Sequence, residues 1–211
     1  MIIVFSYNRL EMLNQVVKEL DGENFVVLDD GSSFDLDPLD CSFVQFEHMG
    51  KAGFWRSWNY ALELCKESDD DFFLFMPDDH LQLELKRIKK LHNQFKSKPY
   101  IYNTVNDGRE NCFIVNETIQ IDSDTINVGF TDCGFFCNRA ALEALNFELY
   151  SIPLTRFRTP GISSGVGQQL TKRFDALRIP MYKPIKSLAF HGDHDSVMHK
   201  EERIKNPLIS K

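Results

Sequence analysis

Apolar residues in this 211-residue chain fall into short unbroken runs, separated by stretches in which they recur every three or four positions. Unbroken runs of four to six suit strands buried on both faces, and the wider spacing suits helices with one apolar side. Residues 1–6 predict a strand, and Leu10, Leu13, Val17 and Leu20 then recur at helical spacing. Residues 24–28 return to strand, closed by the turn chemistry of Asp29-Asp-Gly-Ser-Ser33. Residues 42–46 predict a third short strand. Gly50-Lys-Ala-Gly53 reads as a turn ahead of a helix whose apolar stripe is Phe54, Trp58, Ala61, Leu62 and Cys65. Residues 71–76 form the next strand signal. Leu81, Leu85, Ile88, Leu91 and Phe95 mark another amphipathic helix, which Pro99 stops. Strands alternating with helices predict an α/β fold with a mostly parallel central sheet flanked by helices.

The second half is less regular. Strands are predicted at 100–105, 112–115 and 131–137, with helices at 139–145 and 166–174. The long loop 151–167 carries its own Gly, Pro, Ser and aromatic residues, and substrate surfaces on α/β scaffolds are often built from such loops. Length and core size suit one domain.

A formal net charge of -7 argues against a protein whose main task is neutralising nucleic-acid phosphates. Residues 86–98 are a local exception, with six Lys and Arg and no acid: either a solvated helix face or a surface for an anionic partner. No apolar run approaches the roughly 20 residues that span a bilayer, and the first residues read as a strand rather than a leader, so a cytoplasmic location is expected. The five cysteines are odd in number and lack C-x-x-C pairs, which suggests reduced structural thiols.

Candidate chemistry concentrates in Asp71-Phe-Phe-Leu-Phe-Met-Pro-Asp-Asp-His80. A hydrophobic run ending in two carboxylates puts acids at the C-terminal edge of a buried strand, where open α/β sheets bind ligands. Such a pair can hold a divalent cation that also bridges to a diphosphate, although a solvated turn would use the same residues. Two common nucleotide motifs are missing: no G-x-G-x-x-G follows a strand, and Gly50-Lys-Ala-Gly53 does not complete a G-x-x-x-x-G-K-[ST] loop.

Four blocks stand in order over about the first 80 residues: Phe5-Ser-Tyr-Asn-Arg9, Val27-Leu-Asp-Asp-Gly-Ser-Ser33, the segment from Gly50 through Trp58 and Asn59 to Ala61, and Phe75-Met-Pro-Asp-Asp-His80. Their order resembles the nucleotide-sugar half of the GT-A glycosyltransferases, and most of all the large family two. The resemblance implies a donor-binding half at 1–80 and an acceptor-side half at 81–211. It implies that Ser6, Tyr7 and Arg9 border a nucleobase pocket, that Asp29 or Asp30 accepts a base N–H, and that Lys51 and Asn59 lie near the nucleotide. Asp78 would face the ribose, and Asp79 would ligate a cation, Mn2+ or Mg2+, bound to the sugar diphosphate. Residues 132–143 look like the acceptor-side strand and helix. The segment 187–196 resembles the late histidine segment that completes the metal site, with His191 the first choice and His194 the second.

Two departures stand out. Met76-Pro77 occupies a place where some members carry another acid, and Gly165-Val-Gly-Gln-Gln-Leu170 has none where inverting members usually carry the base. Asp132 is then the candidate base by elimination, with retention of configuration or loss of activity as alternatives. The expected activity is sugar transfer from a nucleoside diphosphate donor, a uridine one, to an acceptor hydroxyl in surface glycan assembly. Modified DNA is a less favoured acceptor. A binding module without chemistry and a sugar-phosphate nucleotidyltransferase complete the alternatives, the latter weakened by the missing glycine-rich phosphate loop.

Overall fold

Strand β1 (Ile2–Ser6) is buried at every residue and feeds two cores at once. Ile3 and Phe5 face one side of the sheet and Ile2 and Val4 the other, as period-two alternation between two helical layers requires. The protein is seen here as a computed structural model describing residues 1–106, 119–158 and 162–191. β1 pairs in parallel with β2 (Phe25–Asp29) and with β4 (Phe72–Pro77), and β3 (Ser42–Gln45) adds in parallel beyond β2. On the far side of β4 lie β9 (Phe135–Asn138), β6 (Ile101–Asn103), β10 (Met181–Pro184), β8 (Thr125–Val128) and β7 (Ile119–Gln120). Among the described strands of this sheet only β9 and β8 run against the rest, so the sheet is mostly parallel. A separate ribbon pairs β5 (His80–Leu81) antiparallel with β11 (Phe190–His191).

Helices α1 (Leu10–Glu19) and α3 (Leu85–Phe95) cover one face through Leu13, Val16, Ile88 and Leu91. Helices α2 (Gly50–Glu67), α4 (Arg139–Ala144) and α5 (Val166–Ala176) cover the other through Trp58, Leu62, Leu142, Leu170 and Phe174. No helix among the described residues is long and apolar enough to cross a membrane.

Several elements differ from the sequence expectation. α2 begins at Gly50 rather than after Gly53, because the Asp30 carboxylate accepts the Met49 N–H at 2.8 Å and the Gly50 N–H at 2.9 Å. A carboxylate from another loop thus serves as the missing cap. α3 begins at Leu85 rather than Leu81, since His80 and Leu81 are held in the ribbon and Gln82 takes a left-handed φ of 52°. β9 starts at Phe135, four residues after the expected start, because Thr131 is turned aside: its Oγ donates to Asn103 Oδ1 at 2.8 Å and its N–H to Thr171 Oγ at 3.0 Å. The expected strand at 112–115 lies outside the described residues. β8, β10 and β11 had no sequence signal.

Trp58 is the hub of one core. Its buried indole stacks on Phe5, Phe75 and Phe135 with centroids 4.9, 4.8 and 5.7 Å away, tying α2 to β1, β4 and β9. Trp58→Ala is expected to cost about 3–5 kcal/mol of stability, measured by urea unfolding. A loss below about 1 kcal/mol would show that the three strands hold together without it.

Candidate functional site

Because β1, β2 and β4 are parallel, their C-terminal ends meet at one edge of the sheet. That edge receives Ser6, Tyr7 and Arg9 from the β1 end, Asp29 and Asp30 from β2, and Asp78 and Asp79 from β4. Asp78 is fully buried. It accepts a hydrogen bond from Ser6 Oγ at 2.9 Å and lies 2.7 Å from Arg9 Nη2. Arg9 Nη1 donates to Asp79 Oδ2 at 2.5 Å. One guanidinium therefore spans both acids. Removing a cation from such a buried group leaves an uncompensated charge, an effect worth about 3–5 kcal/mol.

The two acids differ electrostatically. Burial pushes the Asp78 carboxyl up to about 7, with Arg9 opposing and the neighbouring Asp79 charge adding to the shift. Burial also acts against ionisation of Asp79, but Arg9, then His191 and His80, outweigh it and hold that carboxyl below the usual carboxylate range. Burial pushes the His80 imidazole down to about 4, so it is neutral near pH 7.

Asp79, His80 and His191 offer ligand atoms that all lie within 4.8 Å of one another. The ribbon makes this cluster: His191 is the direct partner of His80 across β5 and β11, and His191 Nε2 lies 3.7 Å from Asp79 Oδ2. Asp79 Oδ1 is buried with no hydrogen-bond partner, and an orphaned buried acceptor has a reason to exist where a cation binds. One carboxylate and two imidazoles suit a divalent transition ion better than calcium or magnesium. The residues thus fit a metal. The sequence marks His80 only by its place directly after the acid pair, a signal to which the motif blocks assign no role.

The rest of the expected set divides. Asp29 accepts from Ser32 N at 2.7 Å, Ser32 Oγ at 2.5 Å and Gln45 Nε2 at 3.1 Å, and Asp30 caps α2. Lys51 sits in the first turn of α2, beside that cap. Tyr7 stacks on His48, with centroids 4.3 Å apart and planes 13° from parallel. Asn59 is turned the other way: its amide donates to Leu149 O at 2.9 Å and accepts from Leu149 N at 2.6 Å. Asp132 is exposed on the loop before β9, and its Oδ1 accepts from its neighbour's N–H, that of Cys133, at 2.9 Å. A Cβ at Gly167, in the first turn of α5, would lie 2.9 Å from that same Oδ1. His194 lies outside the described residues. The basic segment is partly neutralised, with Lys89 paired to Glu23 at 2.7 Å and Arg87 to Glu84 at 3.1 Å.

These shifts fix a sign for the pH dependence of stability. His80 binds fewer protons folded than unfolded between about 4 and its ordinary value, so its contribution rises with pH there. Asp78 binds more protons when folded up to about 7, so its contribution falls with pH over the same range. The two oppose each other. In Asp78→Asn the falling part is gone, and the unfolding free energy is expected to climb more steeply with pH between about 4 and 6.5 than in the unaltered chain. Urea unfolding at several pH values measures it, and parallel curves would refute it.

No protein-family model matches this sequence, and no curated protein matches it. Solved structures do. The crystal structure of S. aureus TarS 1–349, a glycosyltransferase, superposes with a TM-score of 0.51 at 17% identity, covering 86% of this chain and 59% of that one. This chain thus spans about three fifths of that structure's length. A197 from STIV matches with a TM-score of 0.47 at 15% identity, over 92% of this chain and 85% of that one. At 17% identity the likeness to TarS shows the fold alone: the chain has a GT-A fold.

Proposed function

We propose that this chain is a cation-dependent glycosyltransferase that takes a sugar from a nucleoside diphosphate sugar, a uridine one, and passes it to an acceptor hydroxyl in surface glycan assembly. The observation that carries this reading is the Asp79, His80 and His191 cluster at the ligand-binding edge of a GT-A sheet. Asp79 and His191, with His80, would hold Mn2+ or Mg2+, and the donor set favours manganese. When bound, the cation offsets the charge of the diphosphate leaving group.

The chain's own residues supply the rest. Ser6, Tyr7 and Arg9 line the donor end beside Asp78, where the Tyr7–His48 stack offers a flat aromatic surface to a base. Asp29 and Asp30 fix the loops around that surface through backbone and hydroxyl donors, which rigidifies the donor edge, with Lys51 adding positive charge. Asn59 supports the same site from behind by pinning Leu149. Asp132 is the base that takes the acceptor hydroxyl proton. It is exposed, it lies close enough for its charge to act on His80, and the bare Gly167 leaves its carboxylate room.

Thermal unfolding with a panel of nucleoside diphosphate sugars, with and without Mn2+, tests the donor site. One donor at about a hundredfold its Kd is expected to stabilise by about 2.7 kcal/mol only with the ion present. Asp79→Ala should abolish that shift. No shift with any donor, in a demonstrably folded chain, would overturn the reading. Asp132→Asn is expected to lower kcat by about 10²–10⁴-fold while sparing donor binding, measured by release of nucleoside diphosphate in the presence of acceptor. An unchanged kcat removes Asp132 from the mechanism.

A further inference from the structure

A histidine binds a metal through a bare ring nitrogen, and the hydrogen bond at its other nitrogen decides which one is bare. His80 makes such a bond. Its Nδ1 lies 3.2 Å from Thr104 Oγ, inside the protein just past β6. The direction of that bond follows from the threonine. A hydroxyl has one proton, and Thr104 Oγ donates it to the carbonyl of Gly134 at 3.1 Å. The remaining contact is satisfied only if His80 Nδ1 carries the hydrogen and Thr104 Oγ accepts it. Nε2 then holds the lone pair.

The surroundings keep that arrangement in place. Thr104 is fully buried, and its own N–H donates to Gly134 O at 3.0 Å, so the hydroxyl and backbone of one residue clamp one carbonyl. Thr104 O accepts the Leu188 N–H at 2.8 Å, which anchors the segment leading into β11 and His191. Gly134 gives the imidazole its space: a Cβ there would lie 2.2 Å from His80 Cε1. Thr104 therefore touches, directly or through one hydrogen bond, the approach to both histidines of the cluster.

We infer that Thr104 is a positioning residue for the cation site, holding His80 as the Nδ1–H tautomer so that Nε2 is the atom offered to a divalent transition ion beside Asp79 and His191. This rests on the cation-dependent reading above. Thr104 has no place in the four sequence blocks, and its part in the site exists only through the Gly134 carbonyl and the His80 ring.

Two measurements on the whole chain test it. Long-range proton–nitrogen NMR of the metal-free protein reads the tautomer, with Nδ1 of His80 expected to carry the hydrogen in the unaltered chain and that preference to be lost in Thr104→Val. Mn2+ titration followed by the EPR signal of the free ion reads affinity. Thr104→Val is expected to bind about 10–100-fold more weakly, and Thr104→Ser, which keeps the hydroxyl, to restore both the affinity and the tautomer. An Nε2–H form in the metal-free unaltered chain, or equal Mn2+ affinity in a folded Thr104→Val, overturns the inference while leaving the cation site standing. If the unaltered, folded chain binds no Mn2+ at all, the cation-dependent reading fails, and this inference with it.

Discussion

Two adjacent carboxylates at the end of a buried strand are the constraint around which the rest of the site is arranged. β4 runs through both cores and delivers Asp78 and Asp79 where water is scarce, so some cation must be close at hand. Arg9 supplies it, reaching from the turn after β1 to both acids. The parallel pairing of β1 with β4 makes this reach possible, because it brings the end of one strand beside the end of the other. Ser6, the last residue of β1, adds its hydroxyl to Asp78. Burial then separates the pair: Asp78 is enclosed and hard to ionise, whereas Asp79 faces the histidines and keeps its charge. Neighbouring residues of the same type thus acquire different chemistry from environment alone.

The ribbon of β5 and β11 is short, yet it decides the composition of the Asp79, His80 and His191 cluster. It holds His80 in extended backbone, where helical spacing alone would have started α3 earlier, and sets it opposite a histidine that lies more than a hundred residues later. Two further backbone bonds hold the ribbon to the body of the protein: Glu84 N–H to Leu188 O at 2.8 Å, and Leu188 N–H to Thr104 O at 2.8 Å. The cluster is therefore built on paired backbone rather than on a free loop, which limits the freedom of its side chains.

Some polar residues of the sequence blocks already have partners within the protein. Asp30 caps α2, Asp29 organises the turn at Ser32, and Asn59 is bonded in both directions to Leu149. Buried polar groups find the nearest complementary donors, and around this edge the nearest ones belong to backbone. Together these residues form a rigid frame: the turn between β2 and β3, the start of α2 and the loop after α4 are each fixed through one of them.

The local elements of the first half and the position of the acid pair were legible in the chain alone, because apolar periodicity and strand-end carboxylates are properties of adjacent residues. β1, α1, β2, β3 and β4 lie within a residue or two of where the pattern puts them, and the GT-A arrangement was legible from the order of four blocks. The tertiary structure alone decided the antiparallel placement of β9 between β4 and β6, the start of α2 at Gly50, and the joining of His80, Thr104, Gly134 and His191. Met181-Tyr-Lys-Pro184 carries a lysine and a proline, which hide a buried strand from any reading of periodicity. The physical reason is common to all of these. Periodicity reports what one segment prefers, whereas a hydrogen bond between residues far apart in sequence exists only once the sheet has brought their strands together.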